Sequence, residues 1–246
     1  MDLQAFYGTR LGLLCERFVA AALVPVWAPI TRERLLGFGY ATPWLDRFAP
    51  DSERAMAFMP ARQGAVRWPP AGRCATALVF EETLPLADAA VDRILVVHAL
   101  EHARDAHEML EEMWRVLTPG GRLVVVVPNR RGVWARIDTT PFGSGRPYSR
   151  SQLTGLLQGA AFTPTGWSDA LHFAPSQWRA NERLAAVVER TGRRFWPLFA
   201  GVIVVEATKR LYGGVPVTPR AAKRALVPAL VPQGATRDLP PAPARL

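Results

Sequence analysis

Several features are scarce in this 246-residue chain, and each scarcity excludes a class of protein. Its two cysteines, Cys15 and Cys74, are too few for a disulfide framework or a four-ligand zinc site. The apolar run at 18–30 is too short to cross a bilayer and is interrupted by two prolines. The start of the chain lacks the basic segment of a signal peptide. The sequence therefore predicts a cytoplasmic protein with no metal site and no membrane partner.

Lysine is also scarce, since only Lys209 and Lys223 accompany the many arginines. The formal net charge is +9, and it is concentrated at the end of the chain, where 209–246 holds seven basic residues and one acid. The body of the protein is therefore nearly neutral. We interpret the tail as solvated, because aromatic residues do not interleave with the basic ones. Binding of the tail to nucleic acid or an anionic membrane surface is the alternative.

Hydrophobic patterning predicts an α/β protein. Predicted helices cover 3–22, 43–48, 106–117, 149–157 and 176–190. Predicted strands cover 34–39, 54–59, 75–80, 93–97, 122–127, 167–173 and 201–208. The most apolar runs are typical of parallel strands that are covered on both faces. Strands that alternate with helices indicate a Rossmann-like, doubly wound sheet.

The chain divides into three predicted segments. We expect an N-terminal helix at 1–30 that packs on the domain, with Asp2 as its cap and Pro25 as its end, then the domain itself at 31–210. A flexible tail rich in proline and alanine follows at 211–246. Within the domain, residues 129–149 hold several glycines and prolines and read as one long loop, a kind of segment that is often functional.

A series of short motifs lies between residues 84 and 131. In chain order these are Leu84-Pro85-Leu86, Asp92, Leu100-Glu101-His102 and Arg115-Val116-Leu117-Thr118-Pro119-Gly120-Gly121. Their order and spacing resemble the middle of the class I S-adenosylmethionine (SAM)-dependent methyltransferases of the small-molecule type. The resemblance implies a mostly parallel sheet with an antiparallel last strand, SAM as cofactor, and a small-molecule acceptor.

The turn after the first strand reads Leu36-Gly37-Phe38-Gly39-Tyr40-Ala41 and is similar to the family's glycine-rich motif. Glycines at such a turn let a ligand approach the backbone closely. The resemblance implies nine cofactor-binding residues, with Glu81 and Glu82 as alternative partners of the adenine. They are Gly37, Gly39, Tyr40, Ala41, Met59, Glu81, Glu82, Val97 and His98.

Two departures from the family pattern concern acids. Leu35 stands where the family commonly has an acid before the first glycine. The second strand ends at Phe58-Met59-Pro60, without the carboxylate that accepts hydrogen bonds from the ribose. Its loss would weaken cofactor binding about 10- to 100-fold unless Gln63 or backbone groups substitute. A catalytically inactive binding or regulatory protein of the same fold is therefore the alternative function.

The candidate catalytic residues are His98, Arg146 and Tyr148. His98 directly follows the fourth strand, where it either lines the donor site or caps the next helix. Arg146 would bind an acidic substrate and Tyr148 would orient or deprotonate the acceptor, or else the two belong to a lid in which Arg146 pairs with Asp138. We assign His102 a structural role. The acceptor atom and the oligomeric state do not follow from the sequence.

Overall fold

The computed structural model describes residues 2–27, 29–175, 182–195 and 199–211. They belong to a compact unit that spans Met1–Gly213. None of the helices in these ranges combines the length and hydrophobicity that a bilayer span requires. The predicted tail lies almost wholly outside the described residues, and the division of the chain into three segments stays a proposal.

Seven strands form one sheet. They are β1 (Arg34–Gly39), β2 (Arg54–Pro60), β3 (Thr76–Val79), β4 (Val91–Val97), β5 (Leu117–Pro128), β6 (Phe162–Ala170) and β7 (Val202–Lys209). Their order is β3-β2-β1-β4-β5-β7-β6, with β1 to β5 parallel and β7 antiparallel to both of its neighbours. This confirms the predicted fold class. The order reverses between β1 and β4, which is where such sheets bind ligands.

Within the described ranges, six α-helices accompany the strands. They are α1 (Leu3–Tyr7), α2 (Arg10–Trp27), α3 (Thr42–Phe48), α4 (Ala106–Val116), α5 (Arg150–Gly159) and α6 (Glu182–Phe195). Asp2 caps α1 as predicted, by accepting hydrogen bonds from the backbone of Gln4 and Ala5. The prediction of one helix ended by Pro25 is wrong. The helix breaks after α1, and α2 continues past Pro25 because Val26 and Trp27 are buried in the core.

Other boundaries also differ from the predictions. Strand β5 begins at Leu117 and so includes 118–121, where we expected a turn, and a register shift on β4 accommodates the extra residues. Strand β6 begins at Phe162, because an edge strand tolerates Pro164 in its interior. Helix α6 reaches Phe195, beyond its predicted end, while the first residues of the predicted helix lie outside the described ranges.

The core consists of two layers, one on each face of the sheet. Leu95 and Val97 belong to a cluster that includes side chains of α2 and α3, while Ile94 and Val96 belong to a cluster with α4 and α5. All four side chains are fully buried. Successive residues of β4 therefore face opposite layers, which explains why this strand is apolar throughout rather than alternating.

An ion pair joins the starts of β1 and β4, at the sheet edge opposite the strands' carboxyl ends. The Arg34 guanidinium donates two hydrogen bonds of 2.9 Å to the carboxylate of Asp92, and the Arg34 backbone amide donates a third. Thr118, at the start of β5, donates a fourth at 3.1 Å. Asp92 thus ties three neighbouring strands together.

We expect Asp92→Asn to lower the free energy of unfolding by about 1–2 kcal/mol at neutral pH. Hydrogen bonding to Arg34 lowers the pKa of Asp92, so the contribution of the carboxylate is complete above an aspartate's ordinary pKa and is lost as the pH falls through the folded-state value. In urea unfolding, the difference in stability between wild type and variant should therefore narrow as the pH falls below the ordinary aspartate pKa. Asp138→Asn, on an exposed residue, serves as the control. A gap that does not change with pH would contradict this account.

Candidate functional site

A cavity of about 650 Å³ lies at the carboxyl ends of β1, β2, β3 and β4. This volume is within the range typical of small-molecule sites. Its lining comes from α1 and from the segments that follow the strands: Asp2, Leu3, Gln4, Tyr40, Pro60, Arg62, Gln63, Gly64, Ala65, Val66, Glu81, His98, Ala99, His102, Pro141 and Ser144. The cavity thus lies at the reversal of strand order, where sheets of this kind bind ligands.

The turn after β1 is set by close packing against β4. Gly39 has a φ of +77°, and a Cβ added there would lie 2.3 Å from the carbonyl oxygen of Val97. The same oxygen accepts a hydrogen bond of 2.8 Å from the amide of Tyr40. A Cβ on Gly37 would instead lie 2.4 Å from Cδ1 of Leu45 on α3. Both glycines are thus required by neighbouring protein atoms, whereas the sequence analysis attributed them to the approach of a ligand.

A buried chain of hydrogen bonds begins on α1. The hydroxyl of Tyr7 lies 2.7 Å from Nε2 of His98, and Nδ1 of His98 lies 3.1 Å from Oε1 of Glu101. Burial raises the pKa of Tyr7, so its phenol keeps the proton. Tyr7 and Glu101 thus hold the His98 ring from its two nitrogens. Tyr7 also stacks on Tyr40, with ring centroids 5.3 Å apart.

His98 connects three parts of the cavity wall. It directly follows β4 with a φ of +53°, its ring contacts α1 through Tyr7, and its carbonyl oxygen accepts a hydrogen bond of 2.9 Å from Nε2 of Gln63. Both ring nitrogens are therefore occupied by protein partners. In this state His98 lines the cavity without offering it a free lone pair.

Gln63 offers the cavity an acceptor. Its amide nitrogen is used by His98, while its Oε1 is buried and has no hydrogen-bond partner among the described residues. A buried acceptor without a partner is costly, so such an atom points to a ligand or an ordered water. Gln63 follows Pro60 by three residues, close to where the family's ribose-binding acid would be.

The two acids after β3 differ in their placement. Glu81 is buried, lines the cavity, pairs with the guanidinium of Arg62 and accepts a hydrogen bond of 2.7 Å from the backbone of Arg104. Glu82 is not part of the cavity lining and lines an adjoining surface groove, which Glu81 also borders. The structure therefore distinguishes two residues between which the sequence did not choose.

The predicted site residues fall into three groups. Tyr40, Glu81 and His98 line the cavity. Five others are buried in the strands or the turn beside it and are not part of its lining: Gly37, Gly39, Ala41, Met59 and Val97. The sulfur of Met59 accepts a hydrogen bond from the backbone of Val66 at 3.2 Å. Neither Arg146 nor Tyr148 lines the cavity, and a catalytic role for them stays a prediction.

Arg146 and Tyr148 do, however, help to hold the 129–149 loop. The amide of Arg146 donates to the carbonyl of Glu101 at 2.8 Å, and its side chain is exposed. The hydroxyl of Tyr148 donates to the carbonyl of Leu100 at 3.3 Å, and burial raises its pKa. Within the described ranges, no ion pair joins Arg146 to Asp138.

His102, which we predicted from the sequence to be structural, belongs to the lining of the candidate cavity. Its ring lines the cavity and remains accessible to solvent, with Nε2 at 3.5 Å from Oγ of Ser144. Partial desolvation lowers the pKa of His102, so the ring is neutral near pH 7. Its position four residues after His98, beyond the end of β4, is the sequence signal that could have identified it.

Comparison with known proteins agrees with this geometry. Residues 37–125 match a family model described as a methyltransferase domain. A probable SAM-dependent methyltransferase of Mycolicibacterium smegmatis is 40% identical over 81 residues, 32% of this chain and 31% of that protein. A demethylmenaquinone methyltransferase of Deinococcus radiodurans is 32% identical over 130 residues, 50% of this chain and 51% of that protein. The matches thus cover about half or less of each relative.

The fold is shared with solved structures of low sequence identity. A SAM-dependent methyltransferase from Archaeoglobus fulgidus superposes with a TM-score of 0.56 at 14% identity, covering 84% of this chain and 97% of that one. One from Aquifex aeolicus gives 0.54 at 14% identity, covering 85% and 100%. Sheet order and ligand crevice define a class I methyltransferase fold. The sequence match adds that residues 37–125 resemble a methyltransferase domain, and the SAM-dependent relatives imply SAM as the cofactor.

Substitution of the two glycines by alanine should separate their roles. We expect Gly39→Ala to lower the free energy of unfolding by at least about 2 kcal/mol, because it combines a positive φ with a clash against backbone. Gly37→Ala should cost about 1 kcal/mol, since the terminal methyl of Leu45 can move. Urea unfolding of both variants tests this, and an equal or reversed order would refute the assignment.

The His102 ring should titrate below the ordinary histidine pKa of 6.5. Because the folded-state pKa is lowered, protonation favours the unfolded chain, and the contribution of this group to stability is lost as the pH falls below that ordinary value. Histidine-detected NMR over pH 4 to 8 measures the titration, and His102→Gln identifies the signal. Titration at or above the ordinary pKa would show that desolvation does not dominate at this ring.

Proposed function

We propose that the chain transfers a methyl group from SAM to a small-molecule acceptor in the cytoplasm. The observation that carries this proposal is the cavity at the reversal of strand order, into which Gln63 brings a buried acceptor that has no partner among the described residues. The match to the curated relatives supports the family but covers only part of their length.

The cavity fits the cofactor in its position, its volume and the hydrogen-bonding groups that line it. Oε1 of Gln63 would accept a hydrogen bond from a ribose hydroxyl, in place of the carboxylate that β2 lacks. The amide nitrogen of Gln63 is fixed on the carbonyl of His98, so the acceptor is held in place before a ligand arrives. Glu81 would serve the adenine amino group, as the family resemblance implies.

Bound SAM supplies a methyl group on a cationic sulfur, so the protein has to orient an acceptor and, where the nucleophile carries a proton, remove it. Of the two imidazoles on the cavity, His102 suits that task better. It is neutral near pH 7 and accessible, whereas both nitrogens of His98 are engaged. In this proposal His98 holds the segments of the cavity wall in place, and His102 accepts the proton from the nucleophile of the methyl acceptor.

A catalytically inactive SAM-binding or regulatory protein is the second candidate. Two features favour it. Arg62 neutralises the charge of Glu81, and β2 ends at Pro60 without the carboxylate that would bind the ribose. Methyl transfer to any acceptor would eliminate this candidate. Absence of transfer from a SAM-saturated protein, across a broad panel of small nucleophiles, would favour it.

Calorimetry with S-adenosylhomocysteine tests the cofactor site without any acceptor. We expect the wild-type chain to bind it, and Gln63→Met to weaken the affinity about tenfold, because a hydrogen bond to a ribose hydroxyl is lost. Gln158→Met, on the exposed face of α5, is the matched control and should bind as the wild type does.

The two parts of this proposal fail separately. No heat and no thermal shift with millimolar ligand would overturn SAM binding altogether. Unchanged affinity in Gln63→Met, in a variant with wild-type circular dichroism, would leave SAM binding intact but reject Gln63 as the ribose acceptor.

A further inference from the structure

A second groove lies beyond the carboxyl end of β5. It encloses about 570 Å³ and is distinct in its lining from the cavity described above. Three arginines, the start of α5 and one aromatic ring line it: Arg130, Arg131, Arg136, Ser149, Ser151, Gln152 and Phe199. The first two arginines follow the end of β5 after one intervening residue, so the groove lies at the same edge of the sheet as the carboxyl ends of the parallel strands.

The three arginines concentrate positive charge in the groove. Among the described residues, no carboxylate lies within ion-pair distance of Arg130, Arg131 or Arg136. The neighbouring Arg150, which is not part of the lining, does pair with Asp169. Like charges that converge on one groove repel each other unless an anion lies between them. The groove therefore has the electrostatics of an unfilled anion site.

The start of α5 adds hydrogen-bond donors to this charge. Ser149 caps the helix, and its side chain and that of Gln152 satisfy each other's backbone amides. The amides of Arg150 and Ser151 in the first turn have no carbonyl partner within the helix. Ser151 also lines the groove, and its hydroxyl lies 3.1 Å from that of Ser149. A ten-residue helix presents the positive end of its dipole here, beside the three guanidinium groups.

We propose that this groove binds the phosphate group of a phosphorylated ligand. Several guanidinium groups match an oxyanion with two or more charges, and their planar forks suit phosphate oxygens. Phe199 is the single aromatic residue in the described lining, so the groove lacks the row of stacking platforms that single-stranded nucleic acid uses. The proposal does not depend on methyl transfer, because no residue is shared with the cofactor cavity.

Titration of the full-length chain with inorganic pyrophosphate tests the groove. The test variant carries Arg130→Gln, Arg131→Gln and Arg136→Gln together. The control carries three equal changes at exposed arginines elsewhere: Arg17→Gln, Arg47→Gln and Arg73→Gln. We expect one binding event in low salt, at least about tenfold weaker in the test variant and within about twofold of wild type in the control.

Two outcomes would overturn the proposal: no pyrophosphate binding by the wild type at millimolar concentration, or equal loss of affinity in both triple variants. Unchanged S-adenosylhomocysteine binding in the test variant shows that it is folded, and keeps this result separate from the proposed function. Flotation with phosphatidylcholine vesicles, with and without phosphatidylglycerol, identifies the source of the phosphate. Arginine-dependent flotation that pyrophosphate competes away indicates a lipid headgroup, and a lack of flotation indicates a soluble phosphorylated compound.

Discussion

The site depends on the distance between two parallel strands at their carboxyl ends. Gly39 lies so close to the carbonyl of Val97 that no side chain fits between them. This contact turns the chain sharply out of β1, so that Tyr40 reaches the cavity and α3 packs back on the sheet. It also brings the residue after β4, His98, beside the turn. Close packing of the backbone at these two strand ends therefore positions Tyr40 and His98 beside the cavity.

His98 then connects several parts of the cavity wall through hydrogen bonds. Tyr7, Gln63 and Glu101 all bond to it, and each comes from a different segment of the chain. Buried polar networks stabilise a fold when every member is satisfied and are costly where one is not. Two atoms of this network, Oε1 of Gln63 and Oε2 of Glu101, have no partner among the described residues. Gln63 lines the cavity and Glu101 does not, so the Gln63 oxygen is the atom that a ligand in the cavity can reach.

Much of the fold could be predicted from the sequence because two signals coincide. Apolar runs such as 93–97 predict covered parallel strands, and the motifs of 84–131 specify which family uses them. The end of α2 could not be predicted, because burial of Trp27 outweighs the local effect of Pro25. At the site, Arg146 and Tyr148 are not part of the cavity lining, and a catalytic role for them stays a prediction. The groove lined by Arg130, Arg131 and Arg136 could not be predicted, because it depends on the 129–149 loop folding back against the start of α5.

The first residues of α1 form part of the cavity rim, together with segments that follow four of the strands. This has a practical consequence for handling the protein. A purification tag fused ahead of Asp2 would place foreign chain at the entrance of the site and would compete with any ligand for that space. Recombinant material for ligand screening is therefore better prepared with a removable tag, or with one attached at the opposite terminus.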